Sequence, residues 1–422
     1  MDQGNTAFVL ICAALVLLMT PGLAFFYGGL VKAKSVISMM MLSFGAIGLI
    51  GVLWVIYGYA IAFPGNHGTV APWTIDWSSI GLSNLLEVPK DAAYPPLAFV
   101  AFQATFAIIT VALISGAIAD RAKFGSWMIF AGIWATVVYF PVASWVFNFG
   151  LNKDGSFAYG GWVTHGLQDM LGVGAIDFAG GTAVHINAGA AALALALVLG
   201  KRLGFQKGAD VPHNPPFVLL GAGLLWFGWF GFNAGSELAA DGTAAVAFVN
   251  TIAAPAAALL SWLVMEKIRN GKPTSVGAAS GAVAGLVAIT PACASLTPIW
   301  AVVLGLLAGA VCQLAIDLKF KLGFDDSLDV VGIHLVGGII GTLYLGIFAN
   351  GTGLIYSGSF AQLAAQALAA GAVLVYSFVL AYAIGFVIEK TLGFRVKDED
   401  EIAGLDTVVH GEEGYVLTGA RA

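Results

Sequence analysis

From Val330 to Ile388 the chain carries no Asp, Glu, Lys or Arg, and a second charge-free run extends from Phe178 to Gly200. Runs of this length are apolar enough to cross the ~30 Å of a bilayer's hydrocarbon as helices. Reading the whole chain for such runs gives eleven segments, at roughly 6–31, 36–63, 96–119, 124–147, 177–200, 216–235, 243–265, 275–293, 297–316, 330–350 and 364–388. The fold class expected is an all-α polytopic membrane protein. Composition agrees, with 59% of residues hydrophobic and 10% charged, far from a soluble domain. The amino end, Met1-Asp2-Gln3-Gly4-Asn5, lacks the positive charge of a signal peptide, so the first run is expected to stay as a span.

Basic residues orient the segments. Lys32, Lys34, Arg121, Lys123, Lys201, Arg202, Lys207, Lys267, Arg269, Lys272, Lys319, Lys321, Lys390, Arg395, Lys397 and Arg421 fall on one side, and only Lys90 and Lys153 on the other. Cytoplasmic loops carry the excess of Lys and Arg. The amino terminus is therefore expected outside the cell and the carboxyl terminus inside, which requires an odd number of spans. The expected division is a membrane domain over 1–390 and a cytoplasmic tail over 391–422, too polar for a further span.

Several function classes recede. The net charge of −6 and the absence of a basic stripe argue against nucleic acid. Cys12, Cys293 and Cys312 sit in apolar stretches without ligand spacing and read as small core residues. No nucleophile–base set or metal cluster appears, so no enzyme, cofactor or metal is expected.

The chain also looks repeated. Phe8-Val9-Leu10 opens the first segment and Phe217-Val218-Leu219 the sixth; the fifth starts near Asp177 and the tenth near Asp329. Five spans separate each pair, so the halves have opposite orientations, a five-plus-five inverted repeat followed by an eleventh helix. Such repeats place a transport path at their interface.

Two histidines, His185 and His334, occupy corresponding places in those halves within otherwise uncharged segments. Taken singly, each is as readily a hydrogen-bonded packing residue; taken together they point to a pore, because ionisable groups in lipid face a cavity or partner. His67, His165, His213 and His410 read as loop or tail residues. Asp177, Gly181 and His185 recur every four residues, and Gly181 is expected to leave room beside the imidazole. Gly277, Gly281 and Gly285, like Gly337 and Gly341, have the spacing of close helix packing.

No carboxylate or basic residue lies at mid-depth, so a substrate crossing this path is expected to be neutral there. A weak base meets that demand, as a cation outside and a neutral molecule after losing a proton. Imidazoles donate, accept and titrate near neutrality. Phe102, Phe106, Trp145, Phe147, Trp229 and Phe232, with the hydroxyl of Ser236, are placed to hold the cation first through aromatic faces.

Over nearly its whole length the chain resembles the ammonium transporters (Amt/Mep/Rh), and the Amt branch most. The resemblance lies in Asp177-Phe178-Ala179-Gly180-Gly181-Thr182-Ala183-Val184-His185-Ile186-Asn187-Ala188-Gly189 and in Gly228-Trp229-Phe230-Gly231-Phe232-Asn233-Ala234-Gly235-Ser236. It continues in Asp325-Asp326-Ser327-Leu328-Asp329-Val330-Val331-Gly332-Ile333-His334, Thr290-Pro291-Ala292-Cys293 and Gly404-Leu405-Asp406 with His410-Gly411-Glu412. The resemblance implies a phenylalanine gate of Phe106 and Phe232 and recruitment of ammonium at Ser236. It implies a supporting role for Asp177 and a pore lined by His185 and His334 with Trp229 nearby. It further implies a homotrimer in the cell membrane, a regulatory tail around Gly404, Asp406 and His410, and docking of a PII-type signal protein. Where many members carry a cation-binding Trp, this chain has Phe147, and Trp145 lies two residues earlier. Other readings are a passive Rh-like channel for ammonia gas and an ammonium sensor working through a partner protein.

Overall fold

The computed structural model describes residues 1–65, 69–70, 73–90, 92–151, 157–206 and 211–415. His67, Lys153, Lys207 and Arg421, singled out above, lie outside them. Among the described residues ten helices are long and apolar enough to span a membrane. They are α1 (Gln3–Leu30), α2 (Ala33–Ala62), α3 (Pro96–Ile118), α4 (Phe124–Phe147), α5 (Gly181–Leu199), α6 (Pro215–Glu237), α7 (Gly242–Asn270), α9 (Pro298–Leu322), α10 (Val331–Phe348) and α11 (Ala361–Thr391).

The expected segment 275–293 forms a shorter apolar helix, α8 (Ser275–Ile289), of 15 residues. At 1.5 Å per residue it is roughly 22 Å long, less than the hydrocarbon thickness. It stops because Pro291 follows, and residues 290–295 form turns. From Ala279 to Ile289 every residue is buried, so α8 is packed protein on all sides there.

The fold is not purely helical. Thr69–Val70, Phe149–Leu151 and Phe157–Gly161 make a three-stranded sheet in the order β1-β3-β2, with β1 parallel and β2 antiparallel to β3. The aromatic-rich Phe149-Gly150-Leu151 and Phe157-Ala158-Tyr159 have strand composition. They lie after α4 and are too short to register among the long apolar runs.

Helices α1 and α6 cross in opposite directions at glycines. A Cβ on Gly29 would strike Val218, one on Gly22 would meet Leu224, and one on Gly228 would strike Met19. Residue numbers rise along α1 as they fall along α6. The pair α5 and α10 behaves the same way, with Gly189 against Leu335 and Gly338 against Ile186 and His185. Gly281 and Gly285 admit Trp262, Pro255 and Ala258 of α7, and Gly341 lies on the Ala288 carbonyl. These glycines serve close packing.

The residues after α11 fold back across one end of the bundle. Gly404 has φ 113° and lies on the Lys34 side chain. Asp406 then accepts from the N–H groups of Ile37 (3.1 Å) and Ser38 (2.7 Å), capping the amino end of α2. Arg395 donates to the carbonyls of Leu199 (3.1 Å) and Lys201 (2.6 Å) and pairs with Glu401 at 2.8 Å. Glu401 in turn accepts from Leu203 N–H at 2.7 Å. His410 rests edge-on against Phe124, and His213 bridges the Val31 carbonyl and the Tyr415 hydroxyl. Acidic composition alone favours a solvated end; specific caps and ion pairs dock it instead.

Candidate functional site: a histidine pair at the repeat axis

The site begins with two carboxylates. Asp177 accepts from the N–H groups of Gly180, Gly181, Thr182 and Ala183 at 2.5–3.1 Å, and from the Thr182 hydroxyl. Five donors saturate both oxygens and gather the free amides at the start of α5. Gly180 turns the chain at φ 117°, and Gly181–Ile186 follows as a wide π-helical turn that carries His185. In the other half Asp326 accepts from Val331 N–H at 2.7 Å. Asp329 turns the chain at φ 63°, and Val331–Leu335 is again a π-helical turn, carrying His334.

The counterpart of Asp177 is therefore Asp326, not Asp329 as the sequence pairing had it. The two histidines are 149 residues apart, and the same offset joins Asp177 to Asp326 and Gly180 to Asp329. Asp329 occupies the glycine position of its turn and is held there by Lys319 at 2.6 Å. Wide turns of this kind recur at functional positions in helices.

The turns bring His185 and His334 together, Nδ1 to Nδ1 at 3.2 Å, with ring centroids 5.3 Å apart. Both are buried, 1% and 3% exposed. Trp229 stacks on His185 at 5.5 Å and donates from Nε1 to Thr290 Oγ1 at 2.9 Å. The histidines line a narrow cavity with Leu23, Leu113, Leu225 and Phe232, whose space for the centre of a water-sized molecule is about 10 Å³. That admits roughly one small molecule at a time.

Toward the end opposite the tail, Phe106 and Phe232 stack face to face, centroids 4.1 Å apart and planes within 13°. Phe147 is half-buried and meets Phe106 edge-on at 6.1 Å. Ser236 follows one turn after Phe232 and donates to its carbonyl at 2.8 Å. Trp145 is not brought to this cluster. It packs on Tyr376 at 4.7 Å and Trp162 at 5.6 Å, toward α11, because residues two apart on a helix do not share a face.

Gly181 leaves room for Pro291 rather than for an imidazole, since a Cβ there would lie 2.6 Å from the proline ring. Two positioning roles are not legible in the sequence, that of Gln366 and that of Thr290, whose motif is recognisable but whose partner is not. Gln366 of α11 accepts from Ile176 N–H (2.6 Å) and donates to its carbonyl (2.8 Å), fixing the chain beside Asp177. Thr290 fixes Trp229. The visible signal for the first was Gln362 and Gln366, four residues apart in an otherwise apolar helix.

Antiparallel helix pairs around a narrow, histidine-lined cavity give a polytopic helical membrane protein of the transporter class. Residues 7–415 match the Ammonium Transporter Family. An ammonium transporter of Mycobacterium tuberculosis is 54% identical over 441 residues, covering 98% of this chain and 90% of the relative. One of Bacillus subtilis is 42% identical over 424 residues, covering 98% and 99%. Among solved structures, Saccharomyces cerevisiae Mep2 superposes with TM-score 0.82 at 34% identity, covering 94% of this chain and 91% of that one. A sensor Amt protein reaches TM-score 0.86 at 29% identity, covering 96% and 98%. The chain belongs to the ammonium transporter family.

Proposed function

We propose that the protein carries ammonium across the cell membrane by admitting the cation to an outer aromatic mouth and conducting neutral ammonia past paired histidines. The observation that carries this reading is the His185–His334 contact, 3.2 Å between ring nitrogens, inside an apolar cavity behind the Phe106–Phe232 stack. Phe106, Phe147 and Ser236 replace part of the water that the cation leaves. An apolar passage is hostile to a bare ion, so the cation gives up its proton at the gate. Phe106 and Phe232 form that gate, and the imidazole pair relays the proton separately. Asp177 supports the mouth by holding α5, with both its oxygens already engaged.

In this reading α8 completes eleven crossings, and the amino terminus lies outside with the tail in the cytoplasm. The distribution of Lys and Arg supports that orientation. The protein works as a homotrimer with one pore per chain, and Gly404, Asp406 and His410 belong to a regulatory tail whose face accepts a PII-type signal protein. The test is ammonium-evoked current, with methylammonium as an analogue, in liposomes containing the purified protein. Current that depends on ammonium supports the reading. Swelling driven by ammonia gas with no current favours a passive channel, and neither response favours a sensor.

A further inference from the structure

Helix α11 is tied to the helices of the histidine cavity at two points. Gln366 holds Ile176, beside Asp177, and the Ser377 hydroxyl donates to the Asn187 carbonyl at 2.7 Å, just beyond His185. Between those points a groove of about 570 Å³ opens on the surface of the bundle. Ala367, Gly371 and Ala372 of α11 line it on one side, and Trp145 of α4 with Trp162 of the α4–α5 connection on the other. Tyr376 is the last α11 residue of the lining. Its ring packs on Trp145 at 4.7 Å, and its hydroxyl is engaged by the Val137 carbonyl at 2.7 Å.

The surroundings of the groove say what fills it. Of the ten long helices α11 is the least buried, with 28% of its most apolar window covered by protein. Leu368 and Val375 border the groove and are 47% and 58% exposed, and Val379, Phe386 and Val387 carry the exposed apolar face onward. The groove is therefore continuous with the surface that the bundle offers to hydrocarbon. From Ala367 to Tyr376 the helix rises about 14 Å, close to half of the ~30 Å hydrocarbon core. That is the depth of one leaflet, measured from the level of Asp177 to that of the histidines. Small residues on a membrane helix also admit a second helix, but such a partner would run on along α11, where Val379, Tyr382 and Phe386 stand out instead. An unfilled concavity forfeits the dispersion contacts of its lining, and the aromatic rings offer broad faces to a flexible apolar chain.

We infer that this groove binds one acyl chain of a phospholipid from the leaflet on the mouth's side, leaves the headgroup at the membrane surface, and so braces α11 between Gln366 and Ser377. The site holds whatever substrate crosses the path, because it uses only the membrane and the apolar lining.

Gly371 supplies the test. A Cβ there would meet no heavy atom within 4 Å, and Leu forms helix better than Gly, so Gly371→Leu fills the groove while leaving the bundle intact. Thermal unfolding of the delipidated protein in detergent is measured with and without palmitoyl-oleoyl phosphatidylcholine. Lipid that binds only the folded state raises the unfolding temperature, by roughly a few degrees in wild type. Gly371→Leu is expected to lose that rise, and Val379→Leu, on the same exposed face beyond the groove, to keep it. In vesicles whose phosphatidylcholine carries brominated acyl chains, tryptophan fluorescence should be quenched more in wild type than in Gly371→Leu, because Trp145 and Trp162 line the groove. A rise of equal size in wild type and Gly371→Leu, no rise in wild type, or equal quenching overturns the inference. A smaller assembly of Gly371→Leu on size exclusion would show that a second copy of the chain occupies the groove, and overturns it too. If Gly371→Leu fails to fold, Ala367→Leu, at an exposed position of the same lining, carries the same comparison.

Discussion

His185 and His334 present the same ring nitrogen to each other, Nδ1 to Nδ1 at 3.2 Å. A neutral imidazole donates at one nitrogen and accepts at the other. For the two to bond, one ring must carry its proton on Nδ1 and the other on Nε2. The rings come from the antiparallel helices α5 and α10, and their Nδ1-to-Nδ1 contact makes unlike tautomers from like residues. In the proposed mechanism, exchanging their roles shifts the shared proton from one Nδ1 to the other, and a relay is complete only when the outer nitrogens take up and release a proton in turn.

Replacing either histidine with Ala is the direct test. The remaining ring loses its partner, at about 1–3 kcal/mol, which the packed bundle is expected to tolerate. Insertion and assembly should therefore persist while ammonium-evoked current or discrimination against potassium is lost. Wild-type current and wild-type discrimination in both His185→Ala and His334→Ala would return the pair to a packing role.

Asp177 sets up a different kind of failure. Its carboxylate holds four backbone N–H groups and one hydroxyl at the start of α5. Asp177→Ala leaves those buried donors unpaired at about 1–3 kcal/mol each, although relaxation makes the sum smaller than additive. The expected outcome is a large drop in thermal unfolding temperature of the purified protein, with Asp177→Asn in between because it keeps one accepting oxygen. Equal melting temperatures for all three proteins would mean that the cap does not hold α5.

The long elements were legible because hydrocarbon imposes its length on the sequence, and the histidine pair because charge is so rare within those lengths. What escaped depended on turns. Asp329 stood nearest the start of the tenth apolar run and was matched to Asp177, yet the equal eight-residue steps from Asp177 to His185 and from Asp326 to His334 were already in the sequence. Trp145 and Phe147 were placed together at the mouth because proximity in sequence does not tell which way each side chain leaves a helix. Gln366 was overlooked because its role is to bond a distant loop, Ile176, which no local pattern announces.

The docked tail gives a third prediction. Asp406 caps α2, and Glu401 holds Leu203 in the loop after α5, so the tail is tied to the start of α2 and to the connection that follows α5. Removing residues 391–422 uncaps α2, with a loss of about 0.5–2 kcal/mol for a cap of this type. Methylammonium uptake is expected to fall while the truncated protein still inserts and assembles, and Asp406→Ala should reproduce part of that loss. Undiminished uptake by both would leave the tail without a part in transport.

The last prediction concerns the outer mouth. Phe147 meets Phe106 edge-on at 6.1 Å and is half-buried, and in the proposed mouth its ring helps hold the cation beside Ser236. Indole offers a cation a stronger quadrupole than phenyl. Phe147→Trp is therefore expected to lower the half-saturation concentration for ammonium uptake. The larger ring must fit beside Gly180, where a Cβ would lie 3.5 Å from the Phe147 ring. Tighter holding does not speed the crossing, since stabilising the bound cation more than the crossing step leaves the maximal rate equal or lower. Trp145→Ala supplies the contrast: it removes a ring packed on Tyr376 and Trp162 and should lower thermal stability while leaving half-saturation unchanged. Concentration-dependent uptake separates the two variants. A shift in half-saturation with Trp145→Ala and none with Phe147→Trp would move the cation site away from Phe147.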